Sequence, residues 1–267
     1  MLTTACATLQ PPDAGGPGAA GPPYPPVSVE QPQRREAAVL ALNRIVPRNG
    51  SVEPATAYLQ PITATIRNLP TNLAAPLVLP KVGGGAEMTE AETREALRRF
   101  INDWRDLIGA NPAQLSLVER IDQPDRTRIA AYEQRAFRYP LRGDYGKLEI
   151  RFTTDRRLLN VSSSCIPDAE RLQASLANIT PRVKPEDAIG RLRNSDLEYF
   201  DSLGTKHNYR LSASNEIQPA ELVTYALVSK SSPGSLKLHI TWEIGVTNAP
   251  FKNIYVDAFN DEVIAAR

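Results

Sequence analysis

The chain has 267 residues, long enough for one or two domains, and 42% of them are hydrophobic, enough to bury a core. Its 31 basic and 30 acidic residues leave a net charge of +1, which gives no electrostatic footprint for nucleic acid or for an anionic membrane. No apolar run approaches the ~18 residues of a membrane span, two cysteines make no disulfide framework, and six Phe offer no stacking platform for bases.

Residues 1–35 are rich in proline and glycine and are expected to be disordered. Within them "LTTAC" loosely resembles a bacterial lipobox, with Cys6 as the lipid acceptor and a Pro/Gly tether after it. Thr3 stands where that motif carries an aliphatic residue. The basic and long apolar regions of a signal peptide are also missing, a gap that a start codon assigned too late would explain. The alternative is a chance cysteine in a tail. "REAAVLALNRIV" (Arg35–Val46) predicts a short helix. The rest of 36–86 is an N-terminal extension of poorly defined structure. Its many prolines and short apolar pieces read as irregular or edge strands, and "KVGGGAE" reads as a hinge.

A capped helix follows. Thr89 and Glu92 make a capping box. Leu97, Phe100, Ile101, Trp104, Leu107 and Ile108 then fall on one face at helical spacing, until Gly109 and Asn111-Pro112 stop the helix. This stripe, Trp104 included, reads as core. "TRIAAYEQRAF" (Thr127–Phe137) reads as a strand leading through "YPLRGDYG" into "KLEIRFT" (Lys147–Thr153). There Leu148, Ile150 and Phe152 alternate with charged residues, the pattern of a sheet with one wet face. "TDRR" reads as a turn and "LLNVSSS" as the next strand, where Cys165 reads as a small buried residue.

The second half repeats that order. Pro185 opens a helix with Glu186 and Asp187 in its first turn, where the helix dipole favours them. A polar, weakly patterned stretch runs to about Pro219. "ELVTYALVSK" and "LKLHITWEIGV" then read as strands, and "NIYVDAFNDEVIAA" as a closing hairpin. The expected class is α+β, with a helix packed on a small antiparallel sheet twice over. The expected divisions are 1–35, 36–86, 87–178 and 179–267.

Catalytic signatures are absent. His207 and His239 stand alone in sequence and read as structural residues; neither has the HExxH spacing that puts two zinc ligands on one helical face. There is no G-x-S-x-G elbow, P-loop or dinucleotide fingerprint. The residues therefore predict a non-enzymatic protein with no cofactor and no metal. "NGS", "NVS" and "NIT" at Asn49, Asn160 and Asn178 match the glycosylation acceptor pattern, a short match that arises often by chance.

Two segments resemble propeptide modules of thermolysin-like secreted metalloproteases. Residues 87–167 are similar to the FTP module, in which a helix precedes a strand, a Pro-containing turn and two further strands. "YEQRAFRYPLRG" supplies Tyr132, Gln134, Pro140, Leu141 and Gly143 at matching positions. Arg138 and Arg156 stand where that family has glycine, and arginine accepts positive φ poorly. Residues 179–267 resemble a PepSY domain, whose last hairpin is matched by Val256, Asp257, Ala258, Glu262 and Val263. Asp261 replaces the family's turn glycine and tolerates left-handed geometry. Asp257 reads as a structural turn carboxylate.

The resemblance implies export and a propeptide-like role: inhibiting a thermolysin-like metalloprotease, assisting its folding, or both. Propeptides of this kind reach the catalytic cleft through a segment beyond the PepSY hairpin. Here only Ala265, Ala266 and Arg267 follow Ile264, so partial blockage is expected. Either a stand-alone binding protein or a zymogen remnant fits that ending. The alternative function is an envelope-tethered lipoprotein held to the membrane through Cys6, with a structural or regulatory binding role and no protease partner. An enzyme with an unrecognised site is the third class.

Overall fold

A computed structural model describes residues 24, 26–28, 32–46, 53–85, 87–193, 195–201, 203–229 and 234–267. Strand β1 (Pro26–Ser28) precedes helix α1 (Pro32–Ile45), which begins ahead of the expected Arg35. Helix α2 (Glu90–Asp103) starts on the predicted capping box. The Thr89 side chain accepts from the Glu92 amide at 3.3 Å, and the Glu92 carboxylate accepts from the Thr89 amide at 2.7 Å. At Trp104 the helix breaks into α3 (Arg105–Ile108), which ends on Gly109 at φ 81. A Cβ on Gly109 would meet Thr65 Cγ2 at 2.6 Å, so both the backbone angle and the close approach require glycine.

The first sheet holds β2 (Leu115–Asp122), β3 (Thr127–Gln134), β5 (Lys147–Thr153) and β6 (Leu158–Ser163) as an antiparallel meander in the order β2-β3-β5-β6. Leu148, Ile150 and Phe152 form one cluster with Leu97, Phe100, Ile101 and Trp104, as their spacing predicts. Complete burial of one such side chain contributes roughly 1.5–3 kcal/mol. Helix α1 adds Ala38 and Leu42 to the same core, and the segment before α2 adds Tyr58, Ile66 and Leu79. That segment runs as a 3-10 turn at Ala55–Tyr58 and isolated bridges, Leu59 to Ile66 and Val78 to Arg157. Through the Leu77 and Ile66 carbonyls, which accept from the Leu158 and Ser163 amides, its backbone also covers the outer edge of β6.

Strand β4 (Leu141–Gly143) leaves the first sheet's sequence and joins the second. The chain then forms α4 (Ala169–Leu176), α5 (Pro185–Leu192), β7 (Asp196–Phe200), β8 (Lys206–Arg210), β9 (Ile217–Val228), β10 (Ser235–Val246), β11 (Asn253–Asp257) and β12 (Val263–Ala266). The second sheet runs β12-β11-β10-β9-β4, antiparallel except for the β4–β9 pair, with β1 also pairing β10. On one face α4 buries Leu172 and Leu176 against Ala226, Leu238 and Ile240, while α5 buries Ala188 and Leu192 near Ile244 and Val256. The class is mixed α+β with largely antiparallel sheets.

Several expectations need correction. A tail disordered throughout 1–35 does not hold at Tyr24, which is buried, or at β1, which pairs with Ser235–Lys237. Strand β11 stops at Asp257 opposite Thr241, which leaves that side of β10 open for β1 to fill. The polar stretch before Pro219 contains the β7–β8 hairpin, whose Leu197, Tyr199 and Tyr209 pack under Phe251. Helix α4 is not among the predicted elements: Ala169, Leu172 and Leu176 do fall on one face, but the stretch is short and lacks a side-chain cap. Arg156 adopts φ 74 despite its side chain, held where its amide bonds Thr153 O and its carbonyl accepts from the Leu79 amide. Asp261, at φ 65, takes the left-handed turn as predicted.

Candidate functional site

A concavity of about 900 Å³ lies between the wet face of the first sheet and one face of the second. Its floor comes from β9, β10 and β11. Register puts Glu221, Glu243 and Tyr255 side by side, because Glu243 pairs with both of the others. One wall is β4 with Arg142 and Asp144. The opposite wall is Val118, Glu133, Arg135 and Lys147 of the first sheet, and Arg267 closes one end.

Glu243 organises the floor. Its side chain is 14% exposed and accepts from Arg142 Nε at 2.9 Å. Tyr255 OH donates to it at 2.9 Å, and Asn253 Nδ2 at 3.4 Å. Burial, and then the bond to Glu243, push the Tyr255 hydroxyl well above the ordinary phenol range. Arg267 Nη1 bonds Asp144 at 2.6 Å, which holds the guanidinium in its charged form. Arg135 lies 3.1 Å from Glu133. Most groove charges are therefore neutralised in place. Lys147 and Glu221 are exposed, and neither side chain has an ion-pair or hydrogen-bond partner among the described residues.

The sequence-predicted residues divide into two groups. Gly143, at φ 98, belongs to the groove's β4 wall, and Pro140 just before β4 anchors it, its carbonyl accepting from Thr224 N at 2.9 Å. A Cβ at Gly143 would approach Ala226 O to 2.9 Å, so glycine permits β4 to lie against β9. Gln134, Asp257 and Ala258 are interior clips. The Gln134 carboxamide donates to Ile166 O and accepts from Ile166 N, each at 2.9 Å. Asp257 accepts from the Phe259 and Asn260 amides at 2.8 and 3.2 Å, which is the turn role predicted for it. The fully buried Ala258 donates its amide to Ile240 O and accepts from the Arg182 and Val183 amides. Cys6 and Asn49 lie outside the described residues.

The histidines do not stand alone in space. His239 Nδ1 lies 3.0 Å from Asp257 Oδ2, and Tyr24 OH donates to Asp257 Oδ1 at 2.9 Å. The Tyr24 and His239 rings lie 4.7 Å apart. Asp257 thus ties the closing hairpin, β10 and the N-terminal segment together. His207 lies 2.9 Å from Asp201 and stacks on Tyr199 in the β7–β8 hairpin. Among the described residues no group of three or more His, Cys, Asp or Glu could hold a metal ion.

A smaller apolar groove of about 430 Å³ lies between α2 and the free edge strand β2, lined by Ile101, Leu115, Leu117 and Tyr132. That edge is blunted by a bulge between Leu117 and Glu119 and by Glu119, Arg120 and Asp122. Sequence reasoning did not find the larger groove. Alternating charges on "KLEIRFT" announced a wet face, but nothing in the string says which other strand faces it. No family model matches this chain, and no curated protein matches it.

Proposed function

We propose that the chain is a non-catalytic, propeptide-like binding protein of the cell exterior that engages a thermolysin-like metalloprotease as inhibitor, folding chaperone or both. One observation carries the binding reading: a long polar groove between two sheets, its floor held rigid by the Glu243 network. Such a surface suits the docking of another polypeptide. Small-molecule pockets are predominantly apolar, whereas this one is lined by paired charges. The protease as partner, and the division into an FTP-like and a PepSY-like module, rest on the resemblance. In its favour, a capped helix and a meander come first, and a helix and a sheet ending in the Asp257–Asp261 turn follow.

The test is titration of the chain into a thermolysin-like metalloprotease, following binding, residual peptidase activity and refolding yield. Saturable binding is expected, with lowered activity or a raised yield and no hydrolysis by the chain itself. If a folded chain neither binds such a protease nor changes its refolding, the proposal fails. The envelope-lipoprotein alternative then requires a native N-terminus carrying lipid on Cys6.

A further inference from the structure

We infer that the groove receives an extended polypeptide segment as an added strand alongside β9. This deepens the binding-protein reading and rests on it. Strand β9 has 12 residues, but on the side away from β10 only Thr224–Ala226 are paired, by Leu141–Gly143 of β4. Ala220–Val223 have no strand on that side among the described residues.

The direction of the free groups follows from the ladder. Thr224 N bonds Pro140 O, so the Thr224 amide points toward β4. Ile240, its register partner on β10, turns its carbonyl the other way, to Ala258 N. Thr224 and Ile240 are therefore a non-hydrogen-bonded pair, and alternation makes Leu222–Trp242 and Ala220–Ile244 the same. The amides and carbonyls of Ala220 and Leu222 thus point to the open side, and both residues are partly exposed. They form a short unpaired edge in line with β4, the arrangement that β-strand addition uses.

The groove walls decide what reaches this edge. Gln218, Pro219 and Glu221 of β9 line one side, and Arg135 and Lys147 of the first sheet face them. The unpaired Lys147 and Glu221 ask for one carboxylate and one cation on the incoming strand, because the other groove charges are matched internally. The ligand class is an extended peptide carrying an acidic and a basic residue on its groove face.

The probe is a fluorescein-labelled peptide of alternating valine and threonine with one glutamate and one lysine, titrated into the full chain by anisotropy. Two N-methylated versions, blocked at one or the other alternate set of amides, separate backbone pairing from charge capture. One version should bind at least about tenfold more weakly and the other about as well as the parent, since only one set of amides faces β9. Ala220→Pro removes an open-side donor without touching the β10 ladder and should weaken the parent peptide while leaving circular dichroism unchanged. Glu221→Lys with Lys147→Glu should then prefer a peptide with its two charges exchanged. No binding of the parent peptide, or equal binding of both N-methylated versions, overturns the inference. A metalloprotease that binds wild type and Ala220→Pro equally also overturns it while leaving the proposed function intact. Strand binding by a chain that ignores every such protease leaves the inference standing and removes the protease reading.

Discussion

Replacing Gln134 by leucine should destabilise the fold without emptying much space. Gln134 is 2% exposed, and both backbone groups of the fully buried Ile166 depend on its carboxamide, each at 2.9 Å. Gln134→Leu nearly conserves volume but strands that N–H and C=O in the interior. A buried polar group left unpaired costs roughly 1–3 kcal/mol, so the pair predicts a loss of about 2–6 kcal/mol. Gln134→Glu adds a pH signature. One carboxylate oxygen can still accept from Ile166 N, but the other faces the Ile166 carbonyl. Burial and that carbonyl both raise the folded-state pKa of the introduced carboxyl. A raised pKa means its stabilising contribution is present below the unfolded value of about 4.3 and is lost as pH rises. The Glu variant should therefore approach wild type near pH 4 and fall behind toward neutrality. Urea denaturation of the three proteins across that range, with unchanged slope, measures both effects. A leucine variant within about 0.5 kcal/mol of wild type, a typical surface-substitution effect, would refute the clip. A glutamate variant with the pH dependence of wild type would refute the proton argument.

Leu97→Ala, at a 1% exposed site in the first core, should cost about 2–5 kcal/mol in the same assay; a smaller loss means that α2 does not anchor that sheet. Cys165 titrates on the alkaline side: burial pushes its thiol up to about 11 from 9.0. The folded state therefore favours the protonated thiol, which contributes fully below pH 9.0 and is lost as pH rises toward 11. Cys165→Ala should flatten the fall in stability across that window by about 2–3 kcal/mol, at 1.36 kcal/mol per pKa unit. Parallel slopes for variant and wild type would show that the thiol is not the group responsible.

The local grammar of the chain was enough for much of the fold. The Thr89–Glu92 box and the stripe from Leu97 to Ile108 specify α2 and its buried face because both act within a few turns of helix. Alternation over Leu148, Ile150 and Phe152 specifies a strand and its inward side. Asp257 and Asp261 specify the last turn because their bonds and backbone angles are local. Where the signal was short or polar, as in α4 and the β7–β8 hairpin, tertiary packing supplied the stability that propensity lacked. The groove belongs wholly to tertiary structure. Arg142 and Glu243 are 101 positions apart, and Asp144 and Arg267 are 123 apart. Periodicity says which face of a strand is wet, but not which distant strand it meets. Strand β4 left its neighbours for β9, and β1 filled the open side of β10, because backbone edges pair wherever geometry brings them together. That choice depends on the shape of the whole molecule, which no window of sequence contains.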